Sequence, residues 1–203
     1  IYNQVPLRAA ETAYPWRTKG DAEAILAAHA AAIPAPTTPP GPASKGVRVG
    51  WVNRARGAAQ AGGEAARHVE WVSRLDGIWG FALWDARYRE LILCRDPLGV
   101  KPLLRTQMDD GLLLFASEAK AFRYHPEYEP VMDEAAMVVR LAYEYPLDET
   151  SLFAGVAQVR PGTVETWRLD ESGTAVLTGV ARYSRDEVNP AANWNADDDA
   201  ARL

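Results

Sequence analysis

The first clear pattern along the chain is helical. Apolar residues recur at intervals of three and four positions between Thr18 and Ile33, which predicts an amphipathic helix capped at its start by Thr18 or Asp21. Pro34 ends this helix. The Pro-, Ala- and Gly-rich stretch from 34 to about 66 predicts a long inserted loop that contains one short strand candidate at 47–52.

Short apolar runs separated by turn residues predict antiparallel hairpins further along the chain. The run at 78–84 is apolar on both faces, so we expect it to be covered on both sides and to bury Trp79 and Trp84. Ser117 is predicted to cap a short helix, and Asp133 a helix that extends to Tyr143. The predicted hairpins pair 78–84 with 91–94, 103–104 with 112–116, and 163–169 with 174–180.

Strands covered on both faces and flanked by helices indicate a layered α+β sandwich, with helices outside two packed antiparallel sheets. The pattern supports one domain over residues 1–185, with an insertion at about 34–66. The tail at 186–203 has few apolar anchors, so it either frays or begins a further domain.

Composition narrows the functional classes. The 203 residues carry a net charge of −5 and one cysteine. No run of about 18 apolar residues predicts a membrane span. A basic stretch at 45–67 has no aromatic set for stacking bases and is interpreted as a solvated loop, so no nucleic-acid partner is expected. The single cysteine excludes an internal disulfide framework and favours the cytoplasm.

Several ordered segments resemble one family. LDGIWGFALWD at 75–85, CRDPLGVKPL at 94–103, FASEAKAF at 115–122 and TSLFAGVAQVRPGT at 150–163 are similar to the glutaminase domain of asparagine synthetases, a class II glutamine amidotransferase. IYN at 1–3 and TKGDAEAIL at 18–26 extend the resemblance upstream. It implies an α+β, N-terminal-nucleophile hydrolase-like, four-layer αββα sandwich of antiparallel sheets.

The resemblance also implies a function. In the complete protein, glutamine would supply ammonia for the amidation of aspartate, with a downstream ATP-dependent synthetase domain as partner. ATP and Mg²⁺ are expected for that complete protein and no cofactor for this chain; a homodimer stays open. Two alternatives stay open as well: a non-catalytic scaffold of the β-lactam-synthetase type, and a piece of a domain that does not fold by itself.

The family's nucleophile is an N-terminal cysteine, and Ile1 aligns beyond it and beyond the NGE segment whose Asn and Gly form the oxyanion hole. The resemblance therefore implies no catalytic residue in this chain, which is expected to be inactive alone. Cys94 lies in an apolar strand, where a thiol is usually inert packing. Asp21 matches the family's aspartate that holds the α-amino group of glutamine; without the resemblance, an ordinary helix cap is the simpler interpretation.

Other candidate residues are assigned structural or interdomain roles. The RDPLG stretch predicts a tight turn whose Arg and Asp bind backbone groups or each other, and the family places this loop near the route between the two active sites. Ser117 and Glu118 suit a helix start, with an interdomain contact as second interpretation. The loop candidates are Arg95, Asp96, Gly99 and Lys101.

The three histidines, His29, His68 and His125, are far apart in the sequence. No cysteine or carboxylate accompanies them at the spacing of a metal site. We therefore predict no metal site and interpret them as surface or core residues.

Overall fold

A computed structural model describes residues 1–38, 41, 62–146 and 148–184. The strand candidate at 47–52 and the tail at 186–203 lie outside the described residues, and the division into domain, insertion and tail stays a prediction. The helices are α1 (Gln4–Ala10), α2 (Asp21–Ala32), α3 (Val69–Ser73) and α4 (Glu134–Tyr143), with 3-10 helices at Glu64–His68 and Ala119–Tyr124. The strands are β1 (Gly62–Gly63), β2 (Gly80–Asp85), β3 (Glu90–Arg95), β4 (Leu104–Gln107), β5 (Leu113–Ala116), β6 (Val156–Gln158), β7 (Thr163–Leu169) and β8 (Ala175–Arg182).

The strands form two sheets. One has five strands in the order β1-β8-β7-β3-β2, and the other has three in the order β5-β4-β6. Neighbouring strands in both sheets are antiparallel. The three predicted hairpins are confirmed as β2–β3, β4–β5 and β7–β8, because a short polar turn joins each pair.

Two apolar cores explain the order of the layers. Ile92 and Cys94 of β3 face a core that α1, α2 and α3 complete, whereas Leu93, on the opposite face of the same strand, packs with Trp167 in a core between the two sheets. The second 3-10 helix and α4 lie beside the smaller sheet. The order of helices, sheet, sheet and helices confirms the predicted α+β sandwich of antiparallel sheets.

The strand covered on both faces is β3, not β2. Because β2 is the edge strand of its sheet, only one of its faces packs against the core. Trp79, just before β2, is buried as predicted, but the prediction that Trp84 is buried is wrong, since 55% of it is exposed. An apolar sequence on both faces does not reveal whether a second layer reaches an edge strand.

The helix starts were only partly predictable. Helix α2 begins at Asp21 after Gly20, so the prediction that Thr18 or Asp21 caps it is wrong. The prediction for Ser117 is also wrong, because the 3-10 helix begins at Ala119 and has no side-chain cap. Asp133 caps α4 as predicted: its Oδ1 accepts a hydrogen bond from the Ala136 backbone N–H at 2.9 Å.

Candidate functional site

The carboxylate of Asp21 stands at the start of α2. Its side chain is 56% exposed, and Oδ2 lies 2.5 Å from the NH3⁺ nitrogen of Ile1, the first residue of the sequence. Among the described hydrogen bonds, none joins this carboxylate to a backbone N–H of its own helix. The positive end of a helix favours a negative charge, and a carboxylate can accept about four hydrogen bonds. Asp21 therefore retains acceptor capacity for a ligand.

Glu23, two residues further along the same turn, takes the structural role. It is 9% exposed. Its carboxylate accepts hydrogen bonds from the backbone N–H groups of Arg17 and Thr18 at 2.6 and 2.5 Å, and from the Thr18 hydroxyl at 2.7 Å. The loop before α2 is thus fastened by Glu23, which sequence reasoning did not single out.

The backbone next to Asp21 is held in place by the segment that precedes β2. The Tyr2 N–H donates to the Asp76 carbonyl at 2.6 Å, while the Asn3 side chain donates to the Arg74 carbonyl and accepts from the Asp76 N–H. Gly77 has a φ of 141°, and a Cβ there would lie 2.9 Å from the Ile1 Cα. The position of Ile1 against Asp21 is consequently fixed by the LDG segment of the resemblance.

Arg95 organises the loop after β3. Its guanidinium donates to the carbonyls of Gly99, Lys101 and Val159 at 2.7, 2.8 and 3.0 Å, and to the Gln158 side chain at 3.1 Å. Because Arg95 is 8% exposed, burial lowers its pKa. A buried cation with four hydrogen bonds to oxygen atoms of the surrounding chain holds the loop in one shape.

Asp96 completes the same loop. Its carboxylate accepts from the N–H groups of Val100 and Lys101, both at 2.9 Å. Gly99 has a φ of 66°, and a Cβ at this position would lie 2.6 Å from the Pro161 ring. The structure therefore brings together the four candidates from Arg95 to Lys101, and each of the first three contributes to the shape of the turn.

The other two candidates lie elsewhere. Glu118 forms an exposed ion pair with Lys120 at the start of the 3-10 helix, and Ser117 is exposed beside it. In the described part of the chain, no hydrogen bond or ion pair connects Asp21 to this pair or to the Arg95 loop. Asp21 is thus not joined directly to the interdomain candidates in the described part of the chain.

Cys94 is fully buried in β3, and burial raises the pKa of its thiol to about 12. Trp79 and Tyr183 surround it and stack on each other with ring centroids 6.3 Å apart. A nucleophilic cysteine needs a thiolate and access to substrate, and this thiol has neither. Cys94 is a packing residue.

The structure brings two of the three histidines together. The rings of His29 and His68 stack with centroids 5.7 Å apart, and both side chains are buried. His68 Nε2 lies 2.9 Å from the Glu90 carboxylate, and His29 Nε2 lies 3.4 Å from that of Asp85. Sequence spacing gave no signal of this pair, because the chain between the two residues includes the whole insertion.

Within the described ranges, no group of three His, Cys, Asp or Glu side chains could hold a metal ion. In the same part of the chain, every helix is too short or too polar to cross a bilayer.

The pattern of the glutamine amidotransferase domain family matches residues 64–178 of the chain. This protein belongs to that family. The match begins at the first 3-10 helix and ends within β8, so it covers the Arg95 loop and both sheets except β1 and the end of β8. The predicted resemblance to the amidotransferase domain of asparagine synthetases is confirmed.

Relatives named asparagine synthetase (glutamine-hydrolyzing) include two that show how much of the chain is matched. The form numbered 3 from Bacillus subtilis is 33% identical over 109 residues, which are 51% of this chain and 17% of that protein. The Gallus gallus protein is 33% identical over 118 residues, which are 58% of this chain and 17% of that protein. This chain therefore aligns with less than a fifth of the length of either relative.

Among solved structures, glutamine phosphoribosylpyrophosphate amidotransferase from B. subtilis, complexed with ADP and GMP, covers 91% of this chain with 16% identity and a TM-score of 0.47. The aligned region is 27% of that chain. Because this similarity is low, the assignment of an α+β architecture is based on the two sheets of the chain itself.

Proposed function

We propose that this chain is the glutaminase part of a glutamine-hydrolysing asparagine synthetase and that Asp21 binds the α-ammonium group of glutamine. Family membership and the names of the relatives support glutamine as the substrate. The observation that carries the proposal is the exposed Asp21 carboxylate at the start of α2, which is not used to cap its helix.

The chemistry of the site suits an amino-acid ammonium group. A carboxylate at the positive end of a helix provides a charge-assisted acceptor, and the Ile1 nitrogen takes only one of its acceptor positions. In the family, NGE directly precedes the residue that matches Ile1. The contact between Ile1 and Asp21 would therefore place such a segment beside the ammonium site.

Within the proposal, the 203 residues bind glutamine but do not hydrolyse it. Their single cysteine is Cys94, whose buried thiol, with a pKa of about 12, cannot attack an amide. The complete protein would release ammonia with a nucleophile from outside this stretch and use it, with ATP and Mg²⁺ in a downstream synthetase domain, to amidate aspartate. No step of that second reaction is assigned to residues described here.

The test compares two ligands that differ in one group. L-Glutamine and 4-carbamoylbutanoate, which lacks the α-amino group, are titrated into the chain and into Asp21→Asn, with binding followed by NMR. A charge-assisted contact predicts a preference for glutamine of about tenfold or more in the wild type, which Asp21→Asn loses. Asp76→Asn is the matched control, because Asp76 is exposed nearby and contacts Tyr2 and Asn3 through its backbone.

If the wild type binds both ligands equally, or binds neither, the assignment of Asp21 is wrong. Ammonia release from glutamine by the purified chain would contradict the second part of the proposal, that hydrolysis needs a nucleophile other than Cys94.

A second candidate function is a non-catalytic, amidotransferase-like scaffold domain of an amide-forming protein. Like the first proposal, it assigns Cys94 to packing, in keeping with the full burial of that thiol. The ligand test separates the two, since a scaffold has no reason to prefer glutamine over its deaminated analogue.

A further inference from the structure

We propose that Glu23 is the positioning residue of the glutamine site: it fastens the loop 17–20 and so directs the Asp21 carboxylate outward, towards the ammonium group of the substrate. This inference rests on the proposed function. It adds a second carboxylate, which never touches the substrate, to the recognition of glutamine.

The first step is the contrast between the two acids of one helical turn. Asp21 is 56% exposed on its side chain, and Glu23 is 9% exposed as a residue. Both follow Gly20, which precedes α2 in an extended conformation with no side-chain cap. Glu23 points back over the loop. The hydrogen bond from the Thr18 side chain is the main cause that lowers the pKa of Glu23, and the backbone N–H groups of Arg17 and Thr18 lower it further. Burial acts in the other direction but does not offset them. It therefore acts as an anion.

The second step is the series of hydrogen bonds that connects Glu23 to the residue before Asp21. The Thr18 hydroxyl donates to Glu23 and accepts the N–H of Gly20 at 3.2 Å. Gly20 is the residue directly before Asp21. Glu23, Thr18 and Gly20 thus form a chain of hydrogen bonds that ends one peptide before the binding carboxylate and sets the direction in which α2 begins.

The third step is the contact between the 17–20 loop and helix α1. Helix α1 sends Arg8 to the Thr18 carbonyl at 2.5 Å and to within 3.8 Å of Glu23. Gln4 donates to the Lys19 carbonyl from the same helix. Because α1 begins at Gln4, three residues after Ile1, these contacts hold Ile1 and the 17–20 loop as one unit. Glu23 lies at the centre of that unit.

The physical consequence concerns the freedom of Asp21. Aspartate and threonine near a helix start readily turn their side chains onto free backbone N–H groups of the first turn. While Glu23 holds Thr18, the loop has a single conformation and Asp21 stays outside the helix. Without that contact the first turn can fray, and Asp21 can fold back as a cap.

The experiment uses the full 203-residue chain and the same pair of ligands, L-glutamine and 4-carbamoylbutanoate. Glu23→Gln keeps the shape of the side chain but removes the charge and one acceptor oxygen. We expect it to reduce the preference for glutamine by about tenfold and to leave the affinity for the deaminated analogue unchanged. Thr18→Ala, at an exposed position, is the gentler second variant and should reduce the preference in the same direction.

Glu11→Gln is the matched control, because it breaks the ion pair between Glu11, just after α1, and Arg74 at 3.0 Å but leaves the 17–20 loop untouched. Amide hydrogen exchange gives an independent readout: the Arg17 and Thr18 amides should exchange faster in Glu23→Gln and not in Glu11→Gln. Equal weakening of both ligands would indicate a general loss of structure and would overturn the positioning role.

The outcomes also separate this inference from the proposed function. One outcome is that the wild type prefers glutamine, Asp21→Asn abolishes this preference, and both Glu23→Gln and Thr18→Ala keep it. In that case the positioning role of Glu23 is wrong, but the proposed function of Asp21 stands. If the wild type shows no preference, the proposed function fails and the role of Glu23 fails with it.

Discussion

Acidification should charge a buried histidine and weaken the attachment of α2 to the five-stranded sheet. His29 is 3% exposed, and burial lowers its pKa from 6.5 to about 4. The Asp85 carboxylate lies 3.4 Å from Nε2, but that nitrogen lacks the geometry of a hydrogen bond, so this attraction does not offset burial. Nδ1 lies 3.5 Å from an Arg87 nitrogen, which can donate only to a neutral ring.

Further charges face His29 from the neighbouring elements. His68 stacks on its ring, and Arg67 and Arg87 also oppose a positive charge there. In the unfolded chain His29 takes up a proton near pH 6.5, and in the folded chain only near pH 4. The stabilisation is therefore fully present above pH 6.5 and is lost as the pH falls towards 4. The difference corresponds to about 3 kcal/mol, a large share of the roughly 5–15 kcal/mol that stabilise a typical domain.

The assay is urea unfolding of the wild type and His29→Gln at several values from about pH 7.5 to about pH 4. Glutamine cannot be protonated, so the stability of this variant lacks the histidine contribution to its pH dependence. The gap between the wild type and the variant should narrow by about 3 kcal/mol across the range. Asp85 and Glu90, whose pKa values are also lowered, destabilise both proteins in acid and largely cancel in the comparison.

His125→Gln is the matched control, because His125 lies outside the stacked pair, on the loop after the second 3-10 helix. Its unfolding free energy should stay parallel to that of the wild type. A gap between wild type and His29→Gln that stays constant from pH 7.5 to pH 4 would show that burial of His29 does not depress its pKa as argued here.

Two further predictions concern local geometry. Gly99→Ala should lower the free energy of unfolding by about 1–3 kcal/mol, because φ is 66° and the new Cβ meets the Pro161 ring. Gly173→Ala is the control for the backbone cost alone, since Gly173 has a φ of 85° and open space around it. An equal loss of stability in both variants would show that the contact with Pro161 has no effect. Asp133→Ala should lower the free energy of unfolding by about 1 kcal/mol, because it removes the hydrogen bond from the Ala136 N–H, and Asp133→Asn should retain most of the wild-type stability. Unchanged stability in Asp133→Ala would mean that the cap does not stabilise α4 in the folded chain.

The hairpins were predictable because local chemistry specifies them. The turn at 109–111 places a glycine with a φ of 90° at Gly111, and the Asp170–Gly173 turn is closed by Asp170, which accepts from the N–H groups of Ser172 and Thr174. Such turns bring the flanking strands into register without help from the rest of the chain. The family resemblance was also readable, since its segments are continuous in sequence.

Features that depend on distant parts of the chain were not predictable in the same way. The exposure of Trp84 follows from the place of β2 at a sheet edge, which is a property of strand order. The stacking of His29 on His68 depends on the packing of α2 against the first 3-10 helix. Helix α1 was missed because it has only one buried residue, Leu7, and so shows no apolar periodicity.

Asp21 and Glu23 show why a sequence pattern alone leaves a site ambiguous. Two acids in the first turn of a helix are equally compatible with capping, since both gain from the positive helix end. The structure separates them through burial: the acid that fastens the loop is covered, and the acid that is left exposed has a nitrogen beside it. The three hydrogen bonds of the buried Glu23 carboxylate are the basis of its proposed positioning role. If Asp21 binds glutamine as proposed, its role depends on both acids, and a search that considers one acid at a time would miss Glu23.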